Sequence, residues 1–112
     1  MFFTEDSVRV FVFSKLIDMR CGFERLSYYV REDFGEDLLE GHLFLFLGKN
    51  RRRAKVLFFD KTGLILLTKR LEGGKLMALK DLEEISEISL SELRFLLSGS
   101  MLRFAERRKK VA

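Results

Sequence analysis

Three apolar runs without alternation constrain this chain more than any other feature. They are Leu43-Phe44-Leu45-Phe46-Leu47, Val56-Leu57-Phe58-Phe59 and Leu64-Ile65-Leu66-Leu67. Each is bounded by turn residues, is too short for a helix, and reads as a strand at about 42–47, 55–59 and 64–69. A strand with one wet face alternates apolar and polar residues; these do not, so both faces of their sheet must be covered. The connections are short. Asp60-Lys61-Thr62-Gly63 joins the second strand to the third, with Gly63 expected at positive φ. Such loops demand antiparallel neighbours, because a parallel return needs a long crossover.

The covering elements are legible too. Val8-Arg9-Val10-Phe11-Val12-Phe13 is rich in β-branched and aromatic residues and predicts a first strand. Met19, Phe23, Leu26, Val30 and Phe34 then fall on one face of a helix over 19–34, with Asp18 as N-cap and Gly35 as left-handed stop. Gly22 lies inside that predicted helix, at a cost of about 1 kcal/mol relative to Ala. Close approach of helix to sheet is the expected reason. A short strand near residues 75–79 follows the turn Leu71-Glu72-Gly73-Gly74. A second helix begins at Ser89, where Ser89 and Glu92 have capping-box spacing and Ile88 and Leu93 that of a hydrophobic staple. Leu93, Leu96 and Leu97 give it an apolar face and Gly99 stops it. The expected fold is α+β: a single domain with a curved antiparallel sheet of four to five strands, one main helix after the first strand, and a short C-terminal helix. The main helix covers one face. The second helix, sheet curling or another subunit covers the other, so a homodimer is an open possibility.

With 112 residues and no proline, no low-complexity linker and no repeat, the chain is one domain. We place the domain at 1–100 and a basic tail at 101–112. No run approaches the eighteen or so apolar residues of a membrane helix, so no membrane partner is expected. The start, Met1-Phe2-Phe3-Thr4-Glu5-Asp6, has acids where a signal peptide is basic. Cys21 has no second cysteine to pair with. Both observations fit a cytoplasmic protein.

Charge is distributed unevenly. Lys49-Asn50-Arg51-Arg52-Arg53-Ala54-Lys55 packs five cations into seven residues between the first two apolar strands, on the tip of a predicted hairpin. Like charges that close repel one another, and an anionic ligand is the readiest compensation. Pairing through the 60–63 turn brings residue 69 near residue 54, so Lys69 and Arg70 either extend this cluster or form a surface ion pair with Glu72. The candidate DNA-binding set is therefore Lys49, Asn50, Arg51, Arg52, Arg53, Lys55, Lys69 and Arg70. Arg107-Arg108-Lys109-Lys110 in the tail is either a phosphate-binding arm or a solubilising end. By contrast, residues 81–92 hold Asp81, Glu83, Glu84, Glu87 and Glu92 with no cation.

Catalytic chemistry finds little support. One His and one Cys, His42 and Cys21, cannot supply a zinc set or a Cys-His or Ser-His-Asp nucleophile. His42 reads as a satisfied structural group. The carboxylates suffice in number for a two-metal site, but Asp18 is better read as a cap and Asp60 as a turn residue, with Glu83, Glu84 and Glu87 on a solvated face. Glu72-Gly73-Gly74-Lys75 lacks the spacing of a phosphate cradle. No catalytic residue, metal or cofactor is expected.

Several of these segments together resemble one family. Asp18-Met19-Arg20 and Gly22-Phe23, then Gly41-His42-Leu43-Phe44 with Phe46, the basic run through Lys55, Leu57, Asp60 with Gly63, and Lys69-Arg70-Leu71-Glu72 with Gly74 are similar to the TnpB accessory proteins of the insertion-sequence family numbered sixty-six. The resemblance spans roughly residues 8–99. Ile17 stands where members commonly have Pro, and Phe59 where they have Trp or Tyr. The resemblance implies a small protein encoded beside a larger transposase and needed for efficient transposition. On this reading the chain is a non-catalytic accessory factor that binds DNA, plausibly the element ends, through its basic hairpin. The alternative is an interaction module that holds the transposase with little DNA contact. A remote third is a nuclease subunit completed by a partner's residues.

Overall fold

The computed structural model describes residues 7–74, 76 and 86–98. The expected strand near 75–79, apart from Leu76, lies outside these residues, as do the Gly99 stop, the acids at 81–84 and the tail. From the N-terminus come β1 (Val10–Ile17), α1 (Phe23–Tyr29), a π-helical turn (Val30–Phe34) and a single 3-10 turn (Leu38–Glu40). β2 (Leu43–Gly48), β3 (Arg53–Phe59) and β4 (Leu64–Arg70) follow as successive hairpins, then β5 (Glu87–Ile88) and α2 (Leu90–Leu97). The five strands form one sheet in the order β4-β3-β2-β1-β5. The α+β class, the main helix after the first strand and the short C-terminal helix are as expected.

The sheet is mixed rather than wholly antiparallel. Every pair is antiparallel except β1 with β2, which run parallel with Val10 beside Leu43 and Ile17 beside Gly48. Between these two strands the chain crosses the sheet in α1 and returns to the end it started from, the connection that makes parallel neighbours. β1 also bulges. Between the pairs Val12–Leu45 and Leu16–Leu47 it advances four residues while β2 advances two, which leaves Ser14 and Lys15 exposed.

β2 and β3 are buried on both faces, and side-chain type sorts between them, whereas β4, whose apolar run was expected to be covered on both faces as well, is mostly exposed at the sheet edge. Val10, Val12, Leu43, Leu45, Leu47, Ala54, Val56 and Phe58 pack with Ile88, Leu93 and Leu96 under α2. Phe11, Phe13, Phe44, Phe46 and Leu57 pack with Leu26 and Val30 under α1. The aliphatic residues thus line one face and most of the aromatics the other. Phe11 stacks on Phe44 at 5.3 Å, Phe13 on Tyr29 at 4.7 Å, and Phe34 meets Phe44 edge-on at 5.2 Å. Offset and edge-to-face ring pairs of this kind contribute about 0.5–1.5 kcal/mol each beyond their buried area. The capping box of α2 forms as its spacing predicts: Glu92 N–H donates to Ser89 Oγ at 3.0 Å, and Ser89 N–H to Glu92 Oε1 at 2.8 Å.

Three local expectations are corrected. Asp18 does not cap the helix. Its carboxylate accepts from Arg20 N–H at 2.8 Å and closes a turn, and α1 begins later, with Gly22 as an N-cap that has no side-chain bond. Phe23 consequently turns outward, 46% exposed, while Leu26 and Val30 are buried as expected. Gly22 makes no close approach, since a Cβ built there meets nothing within 4 Å. In the 60–63 turn the positive φ falls on Lys61 (82°), not on Gly63. Asp60 makes that possible by accepting from Thr62 N–H, Thr62 Oγ1 and Gly63 N–H at 2.8–3.0 Å.

The glycine that does permit close packing is Gly48. A Cβ there would stand 3.0 Å from Met19 Cγ and 3.4 Å from the Arg53 carbonyl. Gly48→Val is expected to cost about 1–3 kcal/mol by overpacking, whereas Gly22→Val should cost less than half as much. Paired thermal melts of the two variants check this, and equal losses would show that Met19 gives way freely.

Candidate nucleic-acid interface

The strand directions deliver the basic residues to one end of the sheet. β1 and β2 both finish there, β3 starts there and β4 finishes there. β2 ends at Gly48, and the chain turns through Lys49, Asn50, Arg51 and Arg52 before β3 begins at Arg53. Asn50 is a structural part of this turn, because its Oδ1 accepts from Arg52 N–H at 2.9 Å. Arg51 N–H donates to Gly48 O at 2.8 Å, and Arg51 itself takes φ 59°, a conformation far easier for Gly or Asn. The tip is tied on both sides. Lys49 N–H donates to Ile17 O at 3.0 Å, and Leu71 N–H to Arg52 O at 2.7 Å.

The expected register of β4 is met: Lys69 lies opposite Ala54, and Arg70 opposite Arg53. Arg53 and Arg70 therefore share the face that carries α1, while Lys69 projects from the other face. Two guanidinium groups directly across a strand pair repel each other unless an anion intervenes. One such anion is internal, since Arg70 Nε donates to Glu72 Oε2 at 2.9 Å. Both readings of Lys69 and Arg70 are thus realised: the two residues adjoin the tip, and Arg70 also forms the surface pair. Lys49, Asn50, Arg52, Lys69 and Arg70 are exposed; Arg51 and Arg53 are half-buried.

Lys55 leaves the candidate set. It points to the α1 face two residues beyond Arg53, is 9% exposed, and donates from Nζ to the carbonyls of Met19 and Cys21, both at 2.7 Å. A buried ammonium satisfied by carbonyls anchors the loop between β1 and α1 and has little to offer a phosphate. Depth along β3 was the missed signal, because Arg53 opens the strand at the tip while Lys55 lies two residues further in on the same face, next to the buried Leu57.

Sequence reasoning also missed Arg20. This exposed residue sits beside the tip and binds Asp18 through two nitrogens, at 2.7 Å for the closest contact. The Arg20 guanidinium, the Arg20 amide and Lys49 hold the Asp18 carboxyl far below the usual carboxylate range. Arg20, Lys49, Arg51, Arg52, Arg53, Lys69 and Arg70 thus gather at this end against two described carboxylates, Asp18 and Glu72.

The opposite end of the sheet is internally balanced. Arg9 forms a fork with Glu87, at 2.7 and 3.0 Å, and covers the Phe11 ring at 4.7 Å. The Glu87 carboxyl is lowered chiefly by that bond. His42 is the structural group expected, since its Nδ1 accepts from Arg9 N–H at 3.1 Å. Of the acids at 81–92, the two described, Glu87 and Glu92, are engaged with Arg9 and Ser89. Among the described residues no group of His, Cys, Asp and Glu could hold a metal, and no helix is long and apolar enough to cross a membrane.

The sequence of the chain matches a known family. Residues 8–107 match the model of the IS66 Orf2 like proteins. The chain belongs to that family, the TnpB accessory proteins of IS66 insertion sequences. Two uncharacterized proteins of Sinorhizobium fredii (strain NBRC 101917 / NGR234) are similar to it. Protein y4hO is 38% identical over 83% of this chain and 81% of its own length; y4jC is 29% identical over 82% and 79%. No solved structure matches. The matched region runs past residue 100, into the segment read from sequence as a separate tail.

Proposed function

We propose that this protein is a non-catalytic accessory factor for transposition of its insertion sequence, and that it grips DNA backbone with the basic end of its sheet. The family supports the transposition role. The observation that carries the DNA reading is the gathering of Lys49, Arg51, Arg52 and Arg53 with Lys69, Arg70 and Arg20 around one hydrogen-bonded tip. A turn that only guarded solubility would have no reason to set Arg70 opposite Arg53 beside it, where like charges across a strand pair repel unless an anion lies between them. The ligand chemistry is a row of phosphates, bound without base reading by the tip itself. Partners under this reading are the element's DNA ends and the transposase encoded beside it, in the cytoplasm.

The competing reading, an interaction module that holds the transposase through the acidic 81–92 segment, has less support. Glu87 and Glu92 are already used within the fold. The discriminating experiment is duplex binding by the purified protein alone. Phosphate contacts support non-specific affinity of about 10⁻⁴ to 10⁻⁶ M at physiological salt, and that range is the expected result. No binding even at low salt, together with co-purification with the transposase in the absence of terminal repeats, would establish the interaction module instead.

A further inference from the structure

β4 is an edge strand of a kind that folded proteins seldom leave bare. It is seven residues long, carries the uninterrupted run Leu64-Ile65-Leu66-Leu67, and pairs with β3 on one side only among the described residues. Leu64 and Leu67 are 38% and 39% exposed. Edges are ordinarily blunted by proline, a bulge or an inward charge; the apolar half of β4 has none of these.

The phase of its hydrogen bonds is fixed. The bonds from Asp60 N–H to Gly63 O and from Leu71 N–H to Arg52 O bracket the β3–β4 ladder. Bonding residues alternate along an antiparallel pair. Ile65, Leu67 and Lys69 therefore direct their N–H and C=O groups toward β3, and Leu64, Leu66, Thr68 and Arg70 direct theirs outward.

We infer that this outward edge is the seam of a homodimer, in which β4 of two copies pair antiparallel about a two-fold axis at Leu66. Only registers in which outward-bonding residues meet each other are allowed, and side-chain chemistry chooses among them. Centred on Leu66, the pairs are Leu66 with Leu66, Ile65 with Leu67, and Leu64 with Thr68. Every apolar side chain then meets an apolar one or a Thr, and Arg70 of one copy reaches the 60–63 turn of the other, beside Asp60. A centre at Leu67 sets Ile65 against Lys69 and Leu64 against Arg70. A centre at Ile65 sets Arg70 against Asp60, but it sets Leu67 against Gly63 and Lys61 against Lys69, so an exposed leucine goes unmatched and two ammonium groups meet. Self-complementarity in one register is what a second copy provides and an unrelated strand does not. The two basic ends of such a dimer lie about 27 Å apart along the strand direction, from the rise of about 3.4 Å per residue.

The test is mass in solution by light scattering across a concentration series, with far-UV circular dichroism as the fold control. The parent is expected at twice its 13.2 kDa chain mass. Thr68→Pro removes one outward N–H and spares the β3 ladder, as an edge proline can, so its mass should halve with its spectrum unchanged. Independently, Leu66→Cys in a Cys21→Ser background should form a covalent dimer on mild oxidation, because directly opposed residues stand about 5.5 Å apart at Cα. A monomeric parent, or a Thr68→Pro protein that stays dimeric, overturns the inference. If Thr68→Pro does not fold, the cross-link decides, and its absence overturns the inference equally.

Discussion

Replacing Arg51, Arg52 and Arg53 together with Ala is expected to flatten the log–log dependence of duplex affinity on salt by about 2.7 units. Each phosphate neutralised contributes about −0.9 to that slope, through release of condensed counterions. The parent slope should be near −4 to −5 if Lys49, Lys69 and part of Arg70 or Arg20 join the three arginines. Arg70 and Arg20 count for less, because Glu72 and Asp18 already neutralise them in part. The triple variant should still fold, with a modest loss of Tm: the exposed Arg52 contributes little to stability, and the half-buried Arg51 and Arg53 lose some packing of their side-chain stems. Fluorescence anisotropy of a labelled duplex over a salt series measures the slope. An unchanged slope would remove the tip from the mechanism, whatever the affinity at any single salt concentration.

Lys55→Met is expected to do the reverse, lowering stability while leaving the salt slope alone. The substitution keeps the length of the side chain but deprives the Met19 and Cys21 carbonyls of their shared donor. Hydrogen bonds to a charged group contribute about 1.5–3 kcal/mol, and a buried acceptor left without a partner costs about 1–3 kcal/mol. A net loss of about 2–4 kcal/mol follows, or about 10–20 °C in Tm for a domain of this size. Duplex affinity of the folded protein at low temperature should match the parent. A lowered salt slope in Lys55→Met with stability intact would return Lys55 to the DNA-binding set. The two variants together separate the residues of the basic run by role, which their closeness in sequence conceals.

A DNA-binding factor and an interaction module make opposite demands on this end of the molecule, and the geometry bears on which is easier to satisfy. The arginine side chains of the tip stand on a turn whose backbone is fixed by Asn50, by Gly48 and by the segment after β4. Under the DNA reading, binding would order side chains rather than a loop, which would keep the entropic cost of gripping phosphates low. Behind that turn, the Lys55 anchor ties the sheet to the loop that precedes α1.

Much of the fold was legible because local chemistry and burial agreed. The apolar runs marked β2, β3 and β4, the 60–63 turn fixed the pairing of Ala54 with Lys69, and Ser89 with Glu92 announced α2. β2 and β3, apolar on both faces, required two covering layers, and α1 and α2 lie on opposite faces; β4, equally apolar in sequence, stays mostly exposed because it falls at the sheet edge. The basic tip was open to reading in part: Lys49, Arg51 and Arg52 lie between β2 and β3 as the run suggested, whereas Arg53 and Lys55 are already in β3 and Lys55 is buried. What the sequence could not settle was set by contacts between distant segments. A capping carboxylate and a turn-closing carboxylate look alike in one dimension, and only the structure shows Asp18 closing a turn in a loop that Lys55 also holds. Two glycines look alike as well, and only the approach of Met19 distinguishes Gly48 from Gly22. The parallel pairing of β1 and β2 depended on where the crossover returned, which periodicity does not encode. Lys55 and Arg53 belong to the same run of charge and share one face of β3, yet Lys55 is drawn to the carbonyls of Met19 and Cys21 while Arg53 stays at the rim, because distance from the tip along the strand fixes access to water.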